Sequence, residues 1–386
     1  MGGSPPAGGR VGLDETCPRV HHEGAMRAAV MRDRKLVVAD IPVPDPGPGE
    51  VLVKTLACGI CGSDLHALKH ADRFVENQRR AGARFPMDLG RDIVMGHEFC
   101  AEIVDFGPET TRRLPRGARV CSVPGLMRAD GPRTVGYSAE TPGGYAEFMR
   151  LTESRLLPVP DALATERAAL TEPMAVGLHA VNMARLTRDD ASLVIGCGPV
   201  GLAVIAALRL AEARPIVAAD FSPRRRALAA ELGADLVVDP AADSPWTRWG
   251  EVAAWRDPAR APVLPPWVPG PARRPAVVFE CVGVPGVLDQ LMGHAPRGTR
   301  IVVVGVCMEP DTIHPMLGIS KELAFQFVLG YTPDEFEATL GHIAAGRIPT
   351  APLITGHVGL DGVAGAFVEL ASPERHAKII VEPWRT

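Results

Sequence analysis

The hexapeptide Gly196-Cys-Gly-Pro-Val-Gly201 limits what this chain can fold into more than any other feature, because of what flanks it. Ala191-Ser-Leu-Val-Ile195 before it is a continuous apolar run of the kind that forms a strand buried on both faces. Val200 to Ala213 after it reads as a helix, and Pro215-Ile-Val-Ala-Ala-Asp220 as the next strand. The glycines permit a tight turn and the close approach of a pyrophosphate, whose charge meets the helix N-terminus. Gly196, Gly198, Pro199, Val200 and Gly201 are therefore candidate cofactor-binding positions. Asp220, about twenty residues on, is an acid that can accept both ribose hydroxyls, which favours NAD(H). Arg225 could greet a 2'-phosphate, but Asp220 would repel one. Alone, the hexapeptide would also suit a structural turn; with strand, helix and acid in place it specifies a dinucleotide.

The same rhythm continues. A helix over Arg224–Leu232 leads to strands at Asp235–Val238, Ala276–Phe279, Arg300–Val304 and Phe325–Val328, so the spacing predicts an α/β unit with a doubly wound parallel sheet. Pro240 to Pro275 interrupts it as a Pro-rich insertion with Trp246, Trp249, Trp255 and Trp267, read as anchors of a loop. From 26 to about 150 the pattern is different: short strands such as Lys35–Asp40, Glu50–Thr55, Cys100–Asp105 and Ala118–Val123, dense in Gly and Pro, predict a compact β unit. Thr332-Pro-Asp-Glu335 predicts a capping box opening a helix whose apolar face is Phe336, Leu340 and Ile343. Lys378-Ile-Ile-Val381 reads as a strand. Residues 1–25, rich in Gly, Pro and Ser, are expected to be a disordered extension, with His21-His22 inert.

Composition narrows the partners. Hydrophobic residues make up 46% and charged residues 22%, an ordinary globular balance, and a net charge of -4 argues against nucleic acid or an anionic membrane surface. No apolar run approaches the roughly 20 residues that span a bilayer. Of eight cysteines only Cys58-Gly-Ile-Cys61 are paired in sequence, so they are read as reduced thiols in a cytoplasmic chain.

Three further segments carry chemistry. Cys61-Gly-Ser-Asp-Leu-His66, Gly96-His-Glu98 and Thr171-Glu-Pro-Met174 each have a bland explanation alone. Together they supply thiolate, imidazole and carboxylate, the ligand set that zinc accepts in catalytic sites with one open position. In this order, and with the glycine turn, they resemble the zinc-dependent medium-chain dehydrogenase/reductase superfamily over nearly the whole chain from Met26. Ile60-Cys-Gly-Ser-Asp64 with Glu172-Pro-Met-Ala-Val-Gly177 is most similar to the sorbitol, threonine and butanediol dehydrogenase branch.

That resemblance implies a GroES-like β-rich catalytic domain over 26–179 and 330–386, with a Rossmann NAD-binding domain over 180–329 that carries the insertion at about 240–275. It implies Cys61 and His97 as zinc ligands, Glu98 as a direct ligand or a support behind the metal, and Glu172 as a ligand either directly or through water. Asp64 would orient His97. Ser63 would take the alcohol proton and pass it through the nicotinamide ribose to His66. Backbone near Val304 and Val306 would receive the carboxamide, and Tyr145 would line the substrate pocket. Cys58 is read as structural. The implied activity is NAD(H)-linked interconversion of a secondary alcohol or polyol and its ketone, by a homodimer or homotetramer. Only Cys121 occurs between 105 and 150, where the family's four-cysteine lobe would lie, so one catalytic zinc and no structural zinc are expected. Phe74–Arg91 is extra sequence between Cys61 and His97. Two alternatives are a zinc-free enone or quinone reductase of the same fold and a non-catalytic nucleotide-binding protein; an intact ligand set disfavours both.

Overall fold

The computed structural model describes residues 24–255, 257–264, 266, 270–372 and 374–386. His21, His22, Trp267 and all but the last two residues of the expected extension lie outside the described residues. The first strand, Ala25–Arg32, starts one residue before the patterned sequence and turns at Asp33-Arg34 into Lys35–Pro42. Both turn residues take positive φ, 48° and 58°, the backbone a two-residue hairpin requires.

A six-stranded parallel sheet runs in the order Leu236–Val238, Ile216–Ala219, Ala191–Ile195, Ala276–Glu280, Arg300–Val303, Ala324–Phe327. The order reverses beside the strand Ala191–Ile195, and that crevice at the carboxyl ends is where doubly wound sheets hold ligands. Its central strands are buried almost end to end and mostly apolar, as strands covered on both faces are. Helix Pro199–Leu210 begins at Gly198, and helix Pro223–Leu232 is capped by Ser222, whose hydroxyl accepts from the Arg225 N–H at 3.2 Å. The segment read as an insertion contains helix Pro245–Val252, and Trp249 is its anchor: 2% exposed, its indole N–H donates to Ala191 O at 3.1 Å.

A mixed sheet is ordered Leu156–Pro158, Arg119–Ser122, Glu98–Phe106, Glu50–Gly59, Lys378–Val381, Ile354–Val358, with Phe148–Thr152 also on Glu50–Gly59. The late strands Ile354–Val358 and Lys378–Val381 therefore complete a sheet begun some three hundred residues earlier. The capping box forms as expected: Thr332 N–H donates to Glu335 Oε2 at 2.8 Å and Glu335 N–H to Thr332 Oγ1 at 3.2 Å. The early region is not wholly β. Helices Gly62–Lys69 and Ala71–Arg80 interrupt it, the second burying Ala71 and Val75 on one face of its ten residues. No helix among the described residues is long and apolar enough to cross a membrane.

Candidate metal and nucleotide site

Cys61 stands at the N-cap of helix Gly62–Lys69, just after strand Glu50–Gly59 ends, and Asp64 at the third helical position reaches back to the Cys61 N–H at 3.3 Å. Glu98 opens the neighbouring strand Glu98–Phe106, opposite Gly59, and His97 immediately precedes it. The turn into them depends on Gly96, at φ 98°: a Cβ there would lie 2.8 Å from the Tyr145 ring and 2.9 Å from Cys58 Sγ. Cys58 itself is fully buried, which pushes its thiol pKa up and leaves it structural.

Among the described residues, Cys61, His97 and Glu98 are the group of His, Cys, Asp and Glu side chains whose ligand atoms all lie within 4.8 Å of one another. His97 Nδ1 is buried without a hydrogen-bond partner, although Asp64 Oδ1 lies 3.4 Å away, and Nε2 is 3.4 Å from Ser63 Oγ. Burial would lower the His97 pKa, but Asp64 and Cys61 override it and hold it well above the usual range. The surrounding acids thus create a strong demand for positive charge at this point, which a divalent cation meets. Thiolate, imidazole and carboxylate suit zinc in kind as well.

Glu172 enters from helix Thr171–Met183. It lies outside the 4.8 Å group, yet is close enough to interact electrostatically with His97, Glu98 and Lys378. Burial pushes its carboxyl up to about 7, and Tyr331 donates to its Oε1 at 3.0 Å. Glu98, wholly buried, is paired on both oxygens with Lys378 Nζ at 2.7 Å, and the same ammonium donates to Ile60 O at 2.9 Å.

Asp64 is also fully buried. Burial would raise its pKa, but His97 and two phenol donors keep it lowered: Tyr137 donates to Oδ1 at 2.8 Å and Tyr145 to Oδ2 at 2.7 Å. Tyr145 is 0% exposed, and its hydroxyl donates to Asp64, so the ring supports the site from behind that carboxylate. Ser63 and His66 lie one turn apart on the helix, and the His66 ring stacks on His70 at 6.3 Å. Tyr137, Tyr331 and Lys378 join the site without a motif that marks them; the one signal in the sequence is the charged residue that opens the otherwise apolar strand Lys378–Val381.

The glycine turn is built as expected. A Cβ on Gly201 would fall 1.9 Å from Gly196 O, so helix and strand can meet this closely only with glycine there. The Asp220 carboxylate faces the turn, accepting from Cys197 N–H and Ser222 N–H at 2.8 Å each, with Arg225 3.9 Å away. Val304 and Gly305 N–H both donate to Glu280 O at 2.9 Å, and Val306 lines a cavity of about 220 Å³ with Gly283, Cys307, Asp311 and Phe327.

Residues 47–161 match the alcohol dehydrogenase GroES-like domain, and residues 199–345 match the zinc-binding dehydrogenase family. The (R,R)-butanediol dehydrogenase of Bacillus subtilis is 32% identical over 375 residues, covering 93% of this chain and 100% of that protein. Bovine (Bos taurus) sorbitol dehydrogenase is 28% identical, covering 86% and 89%. A crystal structure of 2R,3R-butanediol dehydrogenase from Bacillus subtilis superposes with a TM-score of 0.76 at 31% identity, over 93% of this chain and 99% of that one.

Proposed function

Because the chain belongs to the zinc-binding dehydrogenases with an alcohol dehydrogenase GroES-like domain, we propose that it interconverts a secondary alcohol or polyol and the corresponding ketone. It is an alcohol or polyol dehydrogenase that uses zinc and a nicotinamide dinucleotide. The observation that carries the finer reading is the approach of Cys61, His97 and Glu98 within 4.8 Å, beside the Ser63 hydroxyl.

When bound, zinc supplies the Lewis acidity that lowers an alcohol's pKa, and the nicotinamide supplies the hydride acceptor. Cys61, His97 and Glu98 would hold the metal, with Glu172 reaching it through water; Lys378 balances the charge that Glu98 adds. Asp64 orients the His97 ring. Ser63 would receive the hydroxyl proton and His66, one turn on along the same helix, would take it toward solvent; the ribose of a bound cofactor would link the two. Burial, with His70 and Lys69, lowers the His66 pKa and keeps that ring free to accept a proton. Gly196, Gly198, Pro199, Val200 and Gly201 would cradle the pyrophosphate, Asp220 selects NAD(H), and backbone at Val304 and Val306 would receive the carboxamide.

The chain divides, on this reading, into a catalytic unit (26–179 with 330–386) and a nucleotide unit (180–329), which the shared sheet of early and late strands supports. Self-association as a homodimer or homotetramer is part of the proposal. It is supported by the open edge strand Ala324–Phe327, whose Phe327 is 65% and neighbouring Leu329 89% exposed. A cytoplasmic setting is supported by seven free thiols among the described residues.

The test is metal analysis of purified protein together with a screen of polyols, vicinal diols, amino alcohols and aryl carbinols with NAD and NADP. Zinc-bearing protein that forms NADH from one of these classes, and loses turnover in His97→Ala, is the expected result. Protein that neither retains zinc nor oxidises any of them would refute it.

A further inference from the structure

Two carboxylates stand near Cys61 and His97, and the protein tethers them differently. Glu98 is fastened by Lys378 inside the group whose ligand atoms lie within 4.8 Å of one another. Glu172 is fastened outside it by the Tyr331 hydroxyl, which donates to Oε1 at 3.0 Å. For a zinc protein the difference is chemical. A tetrahedral site with four protein ligands is closed and structural, whereas a catalytic site keeps one position for water or substrate. Cys61, His97, Glu98 and Glu172 together would make four, and the site would close.

The surroundings of Tyr331 hold it still. It lies in the link between strand Ala324–Phe327 and helix Pro333–Ala344, one residue before the Thr332 cap. Glu335, the other half of that capping box, also accepts from Asn182 Nδ2 at 2.7 Å and lies 2.8 Å from His179 Nδ1. Both of these partners belong to helix Thr171–Met183, whose first turn carries Glu172. Phe336, 1% exposed, packs on the Tyr331 ring at 5.3 Å between centroids. The phenol and the Glu172 backbone are thus fixed in one frame, so the hydrogen bond restrains the carboxylate and does not follow it. Deprived of the phenol, that oxygen would lack its donor, a costly state for a buried carboxylate. A divalent cation in the adjoining group is the compensation within reach.

We propose that Tyr331 is a positioning residue that keeps Glu172 from coordinating the metal directly, which leaves one coordination position open for the alcohol oxygen. The assignment rests on the dehydrogenase reading above. Tyr331 takes no part in proton transfer: its one hydroxyl proton stays in the bond to Glu172, and the relay from Ser63 to His66 is untouched.

The test is Tyr331→Phe, which keeps the ring on Phe336 and removes the hydroxyl, with thermal unfolding measured on every variant. Zinc should be held about tenfold more tightly in competition with a chelator, the scale of one hydrogen bond to a charged group. In the cobalt-substituted protein, azide followed by the visible spectrum should bind about tenfold more weakly, because Glu172 has taken the position that azide needs. Turnover of the zinc protein should fall by a similar factor. Glu172→Gln replaces the carboxylate by an amide, a poor zinc ligand, so in that background adding Tyr331→Phe should change neither zinc retention nor azide affinity. Zinc and azide bound as in wild type by a folded Tyr331→Phe would overturn the assignment. So would looser zinc, equal effects in the two backgrounds, or a Tyr331→Phe that does not fold, each of which would mark Tyr331 as structural. A wild-type protein that holds no zinc and oxidises no alcohol sinks the dehydrogenase reading itself, a different failure from an active zinc protein whose metal is indifferent to Tyr331→Phe.

Discussion

Lys378→Met removes the ammonium from the buried pair with Glu98 while keeping a stem of similar length. Both partners are out of water, at 2% and 0% exposure, and the lost group makes three short bonds, two to Glu98 and one to Ile60 O. The variant leaves a carboxylate with no counter-charge in the core, a class of change that costs about 3–5 kcal/mol. Adding Glu98→Gln removes the stranded charge, and what remains is an imperfectly bonded amide and one unpaired carbonyl, about 1–3 kcal/mol. The double variant is therefore expected to be more stable than Lys378→Met alone, by roughly 2 kcal/mol. Urea unfolding in the presence of EDTA, followed by near-ultraviolet circular dichroism, reads the difference. Loading with zinc should narrow the deficit of Lys378→Met, since a divalent cation beside Glu98 supplies the missing charge. A double variant as unstable as the sum of the two single variants would refute the account, because it would mean that Lys378 and Glu98 stabilise the fold independently.

Other perturbations reach other parts of the molecule. Asp220→Ala removes the acid at the glycine turn and should lower kcat/KM with NAD by about 10- to 100-fold, with a smaller loss for NADP, in steady-state assays with both cofactors. Phe327→Asp with Leu329→Lys places charge on the open sheet edge and should shift the protein to monomers in light scattering; an unchanged mass would exclude this edge as the contact. Glu335 is held by Thr332, Asn182 and His179, which outweigh the effect of burial and depress its pKa. A depressed folded-state pKa contributes stability above the unfolded value and loses it as pH falls through the folded one. The melting temperature of Glu335→Gln should therefore lie below wild type near neutral pH and converge with it in acid.

What the sequence made legible was whatever sits in one contiguous stretch. The strand, glycine turn, helix and acid from Ala191 to Asp220 are read directly because their geometry is local, and so is the Thr332–Glu335 capping box. Cys61, His97 and Glu98 were recognisable by type, and the two strands bring them together. The groups that tune them were not legible. Lys378 meets Glu98 across 280 positions and Tyr331 meets Glu172 across 159, and no periodicity encodes a contact between strands that pair only after folding. The bond from Tyr145 to Asp64 was hidden for the same reason: the neighbouring glycines mark a tight passage but not which side of it the ring occupies.

The placement of Lys378 has a consequence for biosynthesis. Cys61, His97 and Glu98 leave the ribosome early, but the cation that offsets Glu98 follows 280 residues later, after the whole parallel sheet has been made. At about 5–20 residues per second the nascent chain carries that uncompensated acid for on the order of half a minute. During that interval the half-built sheet lacks its neighbouring strand, and the ordered metal pocket must wait for the last strand to dock.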